Sequence, residues 1–389
     1  MKADRVGAGA AALLLLLVAG CQTVASTYDR MFGRTPETQK PAELVAIKPL
    51  FSPKILWRGS VGGADRQAFF PAVMGNVVYA TGVAGQITGF DVSNGRQTTR
   101  IEAAQRLSGG VGAGGGLVLV GTPKGEVLAF DRDGKAQWKA QLSGEVLAPP
   151  QVAEGVVVAR AGDGRIFGLE VASGRRKWVY QRTLPALSVR SHAGVLIRGG
   201  AVFAGFPGGR MVAVSLATGS VGWEATVAVP RGATELERVA DITSPPVVDD
   251  RQACAVAFQG RVACLEASAG TSIWARDMSS IAGMAADSRN LYITDDRNAI
   301  VTLDKTNGAS LWKQDKLFGR GVTGPLTVGR YVVVGDFEGY VHFLSREDGS
   351  FAARIATDGS AIVVPPIALD MSSFLVQTRN GGVFAITVQ

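Results

Sequence analysis

Side chains able to do chemistry are sparse in this 389-residue chain, which has three cysteines and two histidines. Cys254 and Cys264 flank Gln259-Gly260, so they fall near the same level on adjacent strands of one hairpin. In an oxidising compartment they are candidates for a structural disulfide, although a small slip in pairing would separate them. His192 and His342 are far apart in sequence and have no evident acid–base partners. So few Cys and His exclude a Cys- or His-rich metal cluster. Asp91, Asp131 and Asp304 recur at equivalent places just before glycine turns. A carboxylate there accepts hydrogen bonds from the turn backbone, which is a structural role. No catalytic constellation emerges, and no catalytic, metal or cofactor-binding residue is assigned.

The third cysteine suggests a different chemistry. Lys2 and Arg5 precede an apolar stretch, Val6 to Ala19, with five leucines from Leu13 to Leu17. This is too short to span a bilayer stably and sits where a secretory signal belongs. It runs into Val18-Ala19-Gly20-Cys21, and the small residues before the cysteine let a peptidase approach the backbone. The pattern resembles the bacterial lipobox, implying residues 1–20 as signal peptide and Cys21 as the site of lipid attachment (palmitate and related acyl chains). Gln22 in place of Asp implies outer-membrane sorting, facing the periplasm. Residues 21–49 lack strand periodicity and read as a lipidated flexible tether.

The rest is dominated by glycine (50 residues) and apolar residues (47%), with 19% charged and a net charge of +7. This composition excludes a disordered chain, and without a dense Lys/Arg run the charge does not point to nucleic acid. One phrase repeats: Gly125-Glu126-Val127-Leu128-Ala129-Phe130-Asp131, a turn at Asp133-Gly134, then Trp138. Turn glycines at 95, 134, 174, 219, 270, 308 and 349 lie 39, 40, 45, 51, 38 and 41 positions apart. Five are followed by Trp at the same offset, whereas Thr99 and Ala353 take its place in the other two. Apolar runs such as Leu117-Val118-Leu119-Val120 precede each turn and read as buried strands. About forty residues holding four short strands is one propeller blade. An eighth unit stops after residues 382–388 without its last strand, and Lys54-Ile55-Leu56-Trp57-Arg58 supplies one. The expectation is therefore all-β: an eight-bladed β-propeller of four-stranded blades over residues 50–389, its last blade closed by the N-terminal strand. Seven blades is the alternative.

The intervals of 45 and 51 put extra residues into two consecutive connections, 182–192 and 230–241. Corresponding loops of neighbouring blades lie side by side, so the two insertions would form one patch. It combines Leu187 and Val189 with Arg190, Arg238 and Asp241, a mixture suited to a protein interface.

The phrase Gly-x-Val-x-Ala-x-Asp-x-x-x-Gly-x-x-x-Trp is similar to the repeat of pyrroloquinoline-quinone (PQQ) propellers. On a lipoprotein of this length it resembles the BamB family, components of the outer-membrane β-barrel assembly (BAM) machinery. The resemblance implies a noncatalytic scaffold that docks on BamA and assists folding and insertion of outer-membrane proteins. The implied partners are a BamA-like protein, nascent outer-membrane proteins and, through the lipid, the membrane. Family members use a Leu-x-Leu-Arg segment and nearby acidic residues. Here the segment is Leu187-Ser188-Val189-Arg190, with Val for one Leu; Asp241 matches the acidic pair, but Thr243 stands at its second position. Leu187, Val189, Arg190 and Asp241 are accordingly the expected partner-binding residues. The alternatives are another extracytoplasmic ligand-binding propeller or a PQQ-dependent dehydrogenase. The enzyme needs calcium, a catalytic carboxylate and aromatic walls, with a vicinal Cys-Cys pair in the alcohol dehydrogenases. This chain has no such pair.

Overall fold

The computed structural model describes residues 40–389. Cys21, the expected signal peptide and the tether as far as residue 39 lie outside the described residues. The described residues form eight four-stranded antiparallel sheets. Seven are contiguous blades, and the eighth joins 367–387 to Lys54–Ser60, whose partner is Gly382–Thr387. Pairing runs from Lys54 opposite Thr387 to Ser60 opposite Gly382, so the early strand closes the ring on the last one. This settles the blade count at eight.

Burial explains the strand pattern. The second strand of a blade is covered on both faces by its neighbours, so Leu117–Gly121 and Val156–Arg160 are almost continuously apolar. The fourth, outermost strand has water on one side and a neighbouring blade on the other. Arg176–Tyr180 and Val221–Thr226 accordingly bury Trp178 and Trp223 between exposed residues. The innermost strands are short, two to four residues in Val247–Val248, Leu196–Arg198 and Gly283–Ala286, and consecutive ones touch around the ring.

The repeated Trp and the repeated turn glycine are two halves of one contact between blades. The Trp178 indole N–H donates to Leu216 O at 2.8 Å in the next blade. Its ring rests on Gly219, where φ is +72° and a methyl group would lie 2.7 Å from Trp178 Cδ2. The same pairing joins Trp57 to Gly95, Trp138 to Gly174, Trp223 to Gly270, Trp274 to Gly308 and Trp312 to Gly349. Each indole donates to a carbonyl at 2.7–3.0 Å in the following blade. The exceptions now make sense. Thr99 faces the second blade, whose turn from Asp131 to Gly134 is one residue shorter than that from Asp91 to Gly95. Ala353 faces the eighth blade, whose last strand comes from the other end of the sequence, so the turn is missing.

The last part of the expected tether is held, a correction to its reading as flexible through residue 49. Ala42 N–H donates to Phe318 O at 2.9 Å and Leu50 N–H to Ala352 O at 2.7 Å. Arg320 donates to Ala42 O at 3.0 Å and Arg354 to Val45 O at 3.2 Å. Phe51 stacks on Tyr331, with ring centroids 4.6 Å apart. The segment shows no strand periodicity because isolated backbone bonds and two arginine side chains, not a sheet ladder, hold it.

Both arginines belong to a buried network around His342, which does have ionisable partners. Its Nε2 lies 3.0 Å from Asp336 Oδ2, and Arg354 Nε donates to its Nδ1 at 3.1 Å. Arg320 bridges Asp336 and Glu338. An acceptor Nδ1 leaves the proton on Nε2, so the imidazole is neutral. Burial first, then the two arginines, hold its pKa below the ordinary imidazole value against the opposing pull of Asp336. The network fixes the segment beginning at Ala42 to the seventh blade.

Candidate functional site: the insertion face

Both long connections run from the outermost strand of one blade to the innermost strand of the next. They therefore emerge on one face of the ring, opposite the glycine turns. The structure brings Leu187, Val189 and Arg190 of the first together with Asp241 of the second, and it separates their roles.

Asp241 is 2% exposed. Its Oδ2 accepts from Val189 N–H at 2.7 Å and its Oδ1 from Gly208 N–H at 3.0 Å. The carboxylate ties the 182–192 loop to the hairpin loop of the fourth blade, a positioning role. Thr243 is also buried, donating through Oγ1 to Ile281 O at 3.1 Å. Arg238 stays within its own loop, donating to Gly232 O at 3.0 Å.

Arg190 is exposed to 49% and forms a two-pronged ion pair with Glu145, Nε to Oε1 at 3.0 Å and Nη2 to Oε2 at 2.9 Å. Nη2 also approaches Gln67 Oε1 at 3.4 Å. Glu145 lies between the second and third blades and Gln67 between the eighth and first, so one guanidinium links its own connection to two others. Neither residue carries a sequence signal, because nothing local marks a loop residue that meets another loop only in the closed ring. Leu187 stands 48% exposed beside them, with Val229, Leu236 and Ile281 exposed on the following connections. Val189 is half-buried. Apolar side chains are thus exposed on three consecutive connections of this face, the first of them on the loop that carries the fixed Arg190 guanidinium.

His192 lies with Val189 and Thr243 around the mouth of the central channel, a cavity of about 380 Å³. Burial, followed by the nearby Arg190 charge, lowers its pKa. Its Nε2 has no partner among the described residues. No acid or base is placed to use it.

The remaining candidates are structural. Cys254 and Cys264 are cross-strand partners in the fifth blade and form a disulfide, S–S 1.97 Å, buried against Leu291 and Ile293. Asp91 accepts from Ser93 N–H at 2.9 Å, Asp131 from Lys135 N–H at 2.9 Å and Asp304 from Thr306 N–H at 2.8 Å. All three carboxylates cap turns on the opposite face. Among the described residues no group of three or more Cys, His, Asp or Glu is arranged to hold a metal.

The sequence profile of the family described as "Outer membrane protein assembly factor BamB" matches residues 83–314. A relative of that description from Nitrosomonas eutropha is 44% identical over 97% of this chain and 93% of its own length. The crystal structure of BamB from Moraxella catarrhalis superposes with a TM-score of 0.80 at 26% identity, covering 86% of this chain and all of that one. A quinohemoprotein alcohol dehydrogenase from Comamonas testosteroni reaches a TM-score of 0.72 over 86% of this chain and 76% of its own, at 13% identity, a likeness of fold alone. With an eight-bladed ring, an insertion face and these near full-length matches, the chain belongs to the BamB family of outer membrane protein assembly factors.

Proposed function

We propose that this assembly factor acts as a noncatalytic scaffold, docking its insertion face on a BamA-like barrel-assembly protein at the periplasmic side of the outer membrane. The observation that carries the reading is the pairing of exposed Leu187 with an Arg190 already held in place by Glu145, on a loop braced by buried Asp241. A pre-ordered guanidinium loses little freedom on binding, and an adjacent apolar anchor excludes water from it. Acylation at Cys21 would confine the disc to the membrane surface and raise its effective concentration near a membrane-embedded partner. Nascent outer-membrane proteins are the clients this arrangement serves. The test is co-purification of a BamA protein with wild type and with an Arg190→Glu, Leu187→Ala double variant. The double variant loses the partner while melting at the wild-type temperature; undiminished recovery would remove this interface.

A further inference from the structure

Arg160 ends the second strand of the third blade, at the rim of the insertion face. Its guanidinium lies 4.7 Å from the centroid of the Phe206 ring, and Nη1 donates to Gly205 O at 2.8 Å and Ala193 O at 3.2 Å. Carbonyls and an aromatic face hold the group, but among the described residues no carboxylate pairs with it. Desolvation pushes its pKa down to about 10 with no opposing charge. Burying a cation without an anion is unfavourable, so such an arrangement persists where it has a use.

Arg160 lines a cavity of about 180 Å³ together with Gly162, Leu184, Ser188, Arg190 and Glu145. Two arginines face one glutamate, which leaves one positive charge unmatched. Arg190 and Glu145 are bound to each other, whereas Arg160 is held only by carbonyls and an aromatic face, so the unmatched charge is that of Arg160. Guanidinium groups pair most effectively with planar oxyanions, through two parallel hydrogen bonds. A residual charge of one suits a carboxylate; a phosphate would bring a second, uncompensated charge.

We propose that this cavity is a socket for one carboxylate of the docked partner, an aspartate or glutamate side chain that enters beside the Arg190–Glu145 pair and binds Arg160. The inference rests on the docking reading above and adds a contact to it. Arg160 is half-buried in the cavity lining, so the socket selects a protruding acidic side chain.

The experiment is calorimetric titration of the soluble chain, residues 22–389, with the periplasmic region of a BamA protein. Arg160→Met weakens binding by roughly thirtyfold or more, the usual effect of removing one partner of a buried charge pair, and Arg160→Lys recovers part of the loss. The wild-type complex is also measured in sodium acetate and in sodium chloride at equal ionic strength. Acetate competes for the socket and weakens the complex further, a readout independent of whether Arg160→Met folds. If wild type binds but is indifferent to acetate, or if folded Arg160→Met binds within twofold of it, the socket is refuted and the docking reading stands. If wild type does not bind at all, both fall.

Discussion

The pairing of tryptophan and glycine across blades makes a prediction that can be worked from distances. Gly219→Ala places a methyl group 2.7–2.9 Å from three atoms of the Trp178 ring, at a φ of +72°. The left-handed backbone contributes about 1–2 kcal/mol and overpacking against the ring about 1–3 kcal/mol, so the loss is about 2–5 kcal/mol. Gly134→Ala is the internal control. Its φ is +88° but no Trp lies over it, and the nearest contact is Ile101 Cγ1 at 3.1 Å; the backbone cost of about 1–2 kcal/mol stands nearly alone. Trp178→Ala removes the ring and its hydrogen bond to Leu216 O, for about 3–5 kcal/mol. Once the ring is gone the Gly219 methyl has space, so the double variant is less destabilised than the sum by about 1–3 kcal/mol. The assay is equilibrium urea unfolding of the soluble chain, followed by tryptophan fluorescence and circular dichroism. Equal losses for Gly219→Ala and Gly134→Ala, together with additivity in the cycle, would refute the account of the repeat as a seat and its occupant.

Asp241→Ala should leave the Val189 and Gly208 N–H groups without their buried acceptor, at about 1–3 kcal/mol each. The 182–192 loop then becomes a cleavage site in limited proteolysis and partner affinity falls, although Asp241 is itself buried; an uncleaved loop with full affinity contradicts the bracing role. Stability should fall as the pH drops below about 6.5. His342 and His192 both have lowered pKa values in the folded chain, so below that pH the unfolded state binds more protons. Each contributes a slope of at most about 1.4 kcal/mol per pH unit. Substituting both by Gln should flatten this part of the profile, measured by urea unfolding between pH 5 and pH 7; an unchanged slope contradicts the assignment. Cys254 and Cys264 should resist alkylation in the unfolded chain until a reductant is added, and alkylation without reductant contradicts the disulfide.

The sequence repeat exposes the fold because the contact it encodes is built from two residue types with few substitutes. Only Trp fills that gap and donates to a carbonyl, and only Gly lies flat beneath it at positive φ. The site is less open to such reading. Long intervals reveal which connections are enlarged, but an irregular loop has no periodicity to show which side chains turn inward. Asp241 thus looks like the exposed Glu235 and Arg238 earlier in its loop until Val189 N–H is found against it. Glu145, Gln67 and Arg160 reach Arg190 or its cavity only because ring closure brings distant connections together. His342 finds Asp336 across a hairpin and Arg354 on the adjoining strand, a pairing that depends on register. The segment from Ala42 to Leu50 is held by arginine side chains hundreds of residues away, which a local pattern cannot register.

The docking face is tested most directly by site-specific photocrosslinking in cells. A photoreactive residue is placed at Leu187 or Leu236 on the insertion face, or at Asn94 in a turn on the opposite face. The account predicts that a BamA protein is captured from Leu187 and Leu236 and not from Asn94. Capture from Asn94 with none from the two insertion-face positions would contradict it.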